Sequence, residues 1–279
     1  MEQKNFQDLN LNNAILFSAA LGDEETCRLI LECILDCDIT SLVVHTEYNI
    51  LFSSDFKYIR LDVFGKDQLN ISYDLEMQNK DEKDLPLRSR YYQSEIDLTS
   101  LKPGDDYKKL QPLFIIFVCS FDPFGKNLYR YTFEMQCQEC NFPLNDGVKR
   151  IFLSTKGTNK PDVSPVLVDF LGYLEDSTDS YVSQTNCEKI KKIHERVIRL
   201  KKDRNLEERY MRLEQEFQLQ RQEGYQQGIE KGREEGVEDT LDKLFRLTTA
   251  MNQNDEGHLV NRLTTDRNFL DLKLKEYHI

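Results

Sequence analysis

YIRLDVFGKDQLNISYDLEMQ, residues 58–78, is the stretch that decides the fold. Residues 58–64 and 71–78 alternate apolar and polar side chains with a period of two, the pattern of a strand with one covered face. GKDQLN, residues 65–70, has turn composition, so an antiparallel hairpin is expected. On the first strand Leu61 and Val63 share one face, with Arg60, Asp62 and Phe64 on the other. On the second, Leu75 and Met77 oppose Asp74, Glu76 and Gln78. A hairpin closed symmetrically about residues 65–70 sets Asp62 nearer Asp74 than Glu76. Grouped carboxylates repel unless a cation or a proton relieves them, and hard oxygen donors on strands suit magnesium or manganese. The same alternation also describes an ordinary amphipathic hairpin with a solvated acidic face.

Outward from the hairpin, Asp84-Leu85-Pro86 reads as an N-cap with proline in the first turn, and a helix is expected through Leu98 or Leu101. LFIIFVC, residues 113–119, is a continuous apolar run, as in a strand covered on both faces. Residues 129–135 alternate again, 151–154 are strand-like, and a helix is expected near 165–175. Upstream, Ile15, Phe17, Leu21, Leu29, Ile30, Cys33 and Ile34 recur at helical spacing, with Asp23 as a cap for a second helix. Thr40 to Val44 is a short β-branched run. Helices and strands so mixed predict an α/β fold.

The chain of 279 residues is 39% hydrophobic, with Phe 16 and Tyr 13, enough for one sizeable core. No apolar run of about 18 residues suggests a membrane span, and MEQKNFQDLN lacks the basic flank and apolar run of a signal peptide. With seven cysteines, an odd number, the thiols read as reduced and the protein as cytoplasmic. Cys137 and Cys140, in CQEC, have zinc-knuckle spacing without a second pair in the sequence to complete four ligands; two loop thiols are the simpler reading. A net charge of −12 argues against a passive phosphate-binding surface. It leaves room for an enzyme in which a divalent metal supplies local positive charge.

The strings RLDVFGKDQLNISYDLEMQNKDEKDLPLRSRYYQSEID and YKKLQPLFIIFVCSFDPFGKNLYRYTFEMQC resemble the Rpn family of recombination-promoting nucleases, also described as transposases of the PD-(D/E)xK nuclease superfamily. The resemblance covers about residues 10–155. It rests on LDV, LEMQ, LPLRSRYYQS and FIIFVCSFDPFGK in combination. It implies a restriction-endonuclease-like α/β core with a mixed central sheet flanked by helices, and a Mg²⁺- (or Mn²⁺-) dependent endodeoxyribonuclease active in recombination or in defence against foreign DNA. By that resemblance Asp62 and Glu76 are the catalytic metal carboxylates, and Gln78 occupies the position where the superfamily usually carries lysine. An amide orients water but brings no positive charge, so a lysine at 78 is expected to keep or raise activity. Arg88 and Tyr92, four apart on the next helix, and the neighbouring Gln93 are the candidate substrate-binding residues. Two other readings compete: a weak or inactive nuclease fold kept for regulation or binding, and a scaffold acting through its helical tail.

That tail sets the domain expectation: a nuclease-like domain over 1–180 and a charged helical extension over 181–279. From about Asn186 to Asp242 the chain is charged helix-former without proline, and a last amphipathic helix is expected from His258 to Tyr277. Gly224, Gly228, Gly232 and Gly236 recur every four residues, and each costs a helix about 1 kcal/mol against alanine. They form either a smooth stripe for close approach of a second copy, giving a homodimer, or a fraying segment. DNA is the other expected partner.

Overall fold

The computed structural model describes residues 5–50 and 59–279, and side chains for 5–45 and 65–279. By its internal contacts the chain divides into two units, residues 1–210 and 211–279.

In the first unit, helices α1 (Ala14–Leu21) and α2 (Glu24–Leu35) precede strands β1 (Leu42–Ile50), β2 (Ile59–Asp67) and β3 (Ser72–Gln78). Helix α3 (Leu85–Ser100) then leads to β4 (Leu113–Cys119), β5 (Arg130–Phe133) and β6 (Val148–Ser154). Helices α4 (Pro165–Glu175), α5 (Asp179–Gln184) and α6 (Glu188–Lys201) follow. The strands form one six-stranded sheet in the order β1-β2-β3-β4-β6-β5. β2 pairs antiparallel with both β1 and β3, β3, β4 and β6 run parallel, and β5 returns antiparallel along β6 at the edge. The sheet is therefore mixed and helix-flanked, as the sequence led one to expect.

The two faces are covered differently. Tyr73, Leu75, Met77, Ile116, Val118, Ile151 and Leu153 pack against α1, α2, α4 and α6 in the main core. The opposite face, with Ile115, Phe117, Cys119 and Phe152, meets Leu85 and Ile96 of α3 and the aromatic residues Tyr91, Tyr92 and Phe124. β4 is buried on both sides, which is why its sequence shows no alternation.

The hairpin is tighter than its composition suggests. Gly65, Lys66 and Asp67 belong to β2, pairing with β1 and, at Gly65 and Lys66, with Tyr73 and Ser72 of β3. Glycine suits the position because a Cβ there would meet Leu42 Cδ1 at 3.2 Å. The turn closes on Asp67, whose Oδ1 accepts from the Leu69 and Ile71 amides while Oδ2 accepts from the Tyr73 hydroxyl at 2.9 Å. Asn70 takes the left-handed conformation at φ 59°.

Capping follows the sequence at α2, where Asp23 accepts from the Thr26 amide and hydroxyl. It fails at α3: the Asp84 side chain makes no capping hydrogen bond, and its backbone carbonyl instead takes the Leu87 and Arg88 amides. The first unit also extends past residue 180, because amphipathic α6 buries Ile190, Ile193 and Val197 in the main core.

Helix α7 (Arg204–Gln253) begins in the first unit and runs into the second. In the second unit a small core of Leu247, Met251 and Leu263 is joined by Phe269, Leu270 and Leu274. The single terminal helix expected over 258–277 is two elements: a 3-10 stretch, Gly257–Thr264, and α8 (Arg267–Glu276). Asp266 interrupts them by capping α8 at the Phe269 amide.

Candidate active site

The β2–β3 register sets the geometry. Val63 pairs with Leu75, Phe64 with Asp74, Gly65 with Tyr73 and Lys66 with Ser72. Val63 with Leu75 is the last of these pairs; one residue further in the same register Asp62 would face Glu76, not Asp74 as a symmetric six-residue turn implied. The cause is the continuation of β2 through Asp67, which shifts the pairing toward Glu76. The Asp62 side chain lies outside the described residues.

Glu76 is 2% exposed and Asp74 fully buried. Both lie on the α3 face of β3, in register with Phe117 and Ile115 of β4. Two buried carboxylates on one strand face are costly unless charge or hydrogen bonds meet them. Arg88 meets one. From the first turns of α3 its Nη2 donates to Glu76 Oε2 at 3.0 Å and to the Tyr92 hydroxyl at 2.9 Å, while Nη1 donates to Gln78 Oε1 at 2.9 Å. Gln78 Nε2 turns to the same Glu76 oxygen at 3.3 Å. The guanidinium lies over the rings of Tyr92 and Phe117, 5.4 and 5.6 Å from their centroids, and those rings stack on each other.

Burial works against the Arg88 charge, but the Tyr92 hydroxyl and the Glu76 and Asp84 carboxylates outweigh it and hold its pKa above the ordinary arginine value. Burial, with the Glu76 charge adding to it, pushes Tyr92 up to about 12, so this hydroxyl stays protonated at neutral pH. Burial likewise raises Cys119, which pairs with Gln78 across the parallel ladder, to about 12, which makes it an inert thiol.

Four of the six residues singled out from the sequence thus converge: Glu76, Gln78, Arg88 and Tyr92. Asp62 lies on the neighbouring strand, one residue beyond the last β2–β3 pair. Gln93 does not. It stands about 140° around α3 from Arg88, accepts a hydrogen bond from Arg150 of β6, and donates to Asp97 Oδ2 at 3.4 Å. The sequence reading passed over Phe117, whose ring floors the guanidinium. The available signal was an aromatic residue in the buried apolar run, two residues before Cys119 on the same strand face.

Among the described residues no three His, Cys, Asp or Glu side chains gather as a metal site. The donor chemistry still suits a hard divalent cation: Glu76 supplies carboxylate oxygen within a rigid sheet, and the neighbouring strand bears Asp62 one residue beyond the last β2–β3 pair.

Searches among curated proteins and among solved structures give no significant match. The family described as PD-(D/E)XK nuclease family transposase matches residues 15–223, about three quarters of the 279 residues and all six strands. Its nucleases typically use divalent metal ions. A mixed sheet whose third strand carries Glu-Met-Gln beside an aspartate-bearing second strand fits that membership, and the chain belongs to the PD-(D/E)XK nuclease family transposases.

Proposed function

We propose that this protein is a metal-dependent endonuclease that hydrolyses phosphodiester bonds in DNA, in recombination or in defence against foreign DNA. The observation that carries the reading is the Glu76–Gln78–Arg88–Tyr92 cluster, on the strand next to the one that bears Asp62.

Asp62 and Glu76 would hold Mg²⁺ or Mn²⁺, which when bound would supply Lewis acidity at the scissile phosphate. The remaining chemistry falls to the chain. The Gln78 amide would orient the attacking water. Arg88 supplies the positive charge that a motif lysine would bring, from a helix instead of the strand, 2.9 Å from the residue that replaces that lysine. A guanidinium keeps its proton at any physiological pH, so its role is electrostatic: it offsets charge building on the phosphoryl oxygens and does not act as a base. Tyr92 and Phe117 hold its plane in place.

The test is incubation of the purified chain with supercoiled plasmid in Mg²⁺, Mn²⁺ or EDTA, beside Asp62→Asn and Glu76→Gln. Nicked or linear product with metal, none in EDTA, and a loss of about two orders of magnitude or more in either variant is the expected result. Equal cutting by both variants would remove the assignment. One observation favours a second reading, a binding protein on a nuclease fold: the Arg88 ion pair already engages the Glu76 carboxylate. DNA retention without cleavage in the same assay supports that reading.

A further inference from the structure

The segment between β5 and β6 is a second, chemically distinct place. An isolated bridge pairs Gln136 with Pro143 and closes a loop around Cys137 and Cys140. Within it the Cys137 amide donates to the Phe142 carbonyl at 2.9 Å and the Asn141 amide to the Cys137 carbonyl at 2.9 Å, with Asn141 left-handed at φ 51°. The result is a tight turn that aims both thiols the same way: their Sγ atoms are 3.4 Å apart and not bonded. The Cys137 thiol donates to Glu139 Oε2 at 3.2 Å. Three groups that are anions when deprotonated therefore share one exposed loop tip. Thiolate–zinc bonds of about 2.3 Å at a tetrahedral angle put two sulfurs about 3.8 Å apart, a few tenths of an ångström from the spacing here.

We propose that Cys137 and Cys140 form half of a binding site for a thiophilic divalent cation, zinc being the natural one, and that the same loop of a second copy completes it. The pair brings two of the four ligands a structural zinc takes. Among the described residues no three His, Cys, Asp or Glu side chains, Glu139 with the two thiols included, are placed to hold one ion together. A second observation points to a partner at this tip: Met135, Phe142 and Leu144, which flank the thiols, are each more than half exposed. Two loops meeting across a two-fold axis would cover these side chains and place four sulfurs around one ion. The loop extends from the β5 edge, with β4 and β6 between it and β3, so the site is separate from the nuclease cluster.

Cobalt titration of the reduced full-length chain, followed by zinc competition, tests the proposal. The expected endpoint is one ion per two chains, with the sulfur-to-metal charge-transfer and d–d absorption of a tetrahedral four-thiolate set, displaced by zinc. Cys137→Ser with Cys140→Ser abolishes the signal, while plasmid cutting, where present, stays unchanged. One ion per chain with the spectrum of a mixed sulfur–oxygen set overturns the shared site. Absence of the charge-transfer band in reduced protein overturns the metal site altogether.

Discussion

Arg88 Nη1 lies 2.9 Å from Gln78 Oε1, joining the first turns of α3 to the end of β3. The contact makes residues 78 and 88 one electrostatic unit and reverses what the sequence alone suggests for a lysine at 78. An ammonium there would stand against the guanidinium and could not accept its hydrogen bond. Gln78→Lys is expected to lower stability by about 1–2 kcal/mol after solvent screening and to reduce cleavage. Gln78→Lys combined with Arg88→Gln returns the single positive charge to the strand and is expected to recover much of both. Urea unfolding and plasmid cleavage of the three variants check it; a Gln78→Lys chain as stable and active as the parent would refute the coupling.

Arg88 and Glu76 form a second, more buried pair, with side chains 25% and 3% exposed. Removing one member of such a pair strands the other charge, at a cost of about 3 kcal/mol. Arg88→Ala is therefore expected to destabilise strongly, and adding Glu76→Gln to it should restore part of the loss, because the carboxylate no longer needs a partner. Strictly additive losses in urea midpoints would show that the pair is not energetically coupled.

The strands were legible because alternation and the apolar run in β4 report burial directly. Register was not. Gly65-Lys66-Asp67 has turn composition, yet its ladder pairing with β1 and the Asp67 hydrogen bonds to the tip keep it in β2. Those bonds come from residues distant in sequence or from one side chain's choice of partner, neither of which composition encodes. Helix spacing correctly joined Arg88 with Tyr92, and the same spacing, applied strictly, turns Gln93 away toward β6. Asp84 looked like an N-cap, but its φ of −115° and ψ of −2° leave its side chain without the capping bond.

A pH effect follows from Glu32, which is 4% exposed and ties α2 to two neighbours. Its Oε1 accepts from Arg28 at 2.6 Å and from the Ile39 amide at 3.1 Å, and Oε2 pairs with Lys189 of α6 at 2.9 Å. Burial alone would raise its pKa; Lys189, the Ile39 amide and Arg28 outweigh burial and hold it below the ordinary glutamate value. Because the folded value lies below the unfolded one, the contribution is complete at neutral pH and is lost as pH falls below about 4. Glu32→Gln should cost about 1–3 kcal/mol at pH 7, and the gap should narrow as the parent is acidified. A gap that stays constant in urea unfolding from pH 7 to pH 3 would contradict this.

The last prediction concerns α7. Gly224, Gly228, Gly232 and Gly236 all lie in it, and a Cβ added at any of them meets nothing within 4 Å in the chain. Positions four apart drift about 40° per step, so the glycines trace a slowly winding groove. Tyr225, Ile229 and Val237, each one residue beyond a glycine, are at least half exposed beside it. Within one chain the substitution of all four by alanine is sterically free and should raise helix stability by about 4 kcal/mol. The homodimer proposed for this segment predicts the opposite sign for assembly: the added methyls fill the groove that a second helix would enter. Circular dichroism and sedimentation velocity on parent and variant separate the two effects. The expected outcome is a dimeric parent and a more helical variant shifted toward monomer. An equally dimeric variant would move the interface off the groove, and a monomeric parent would end the proposal.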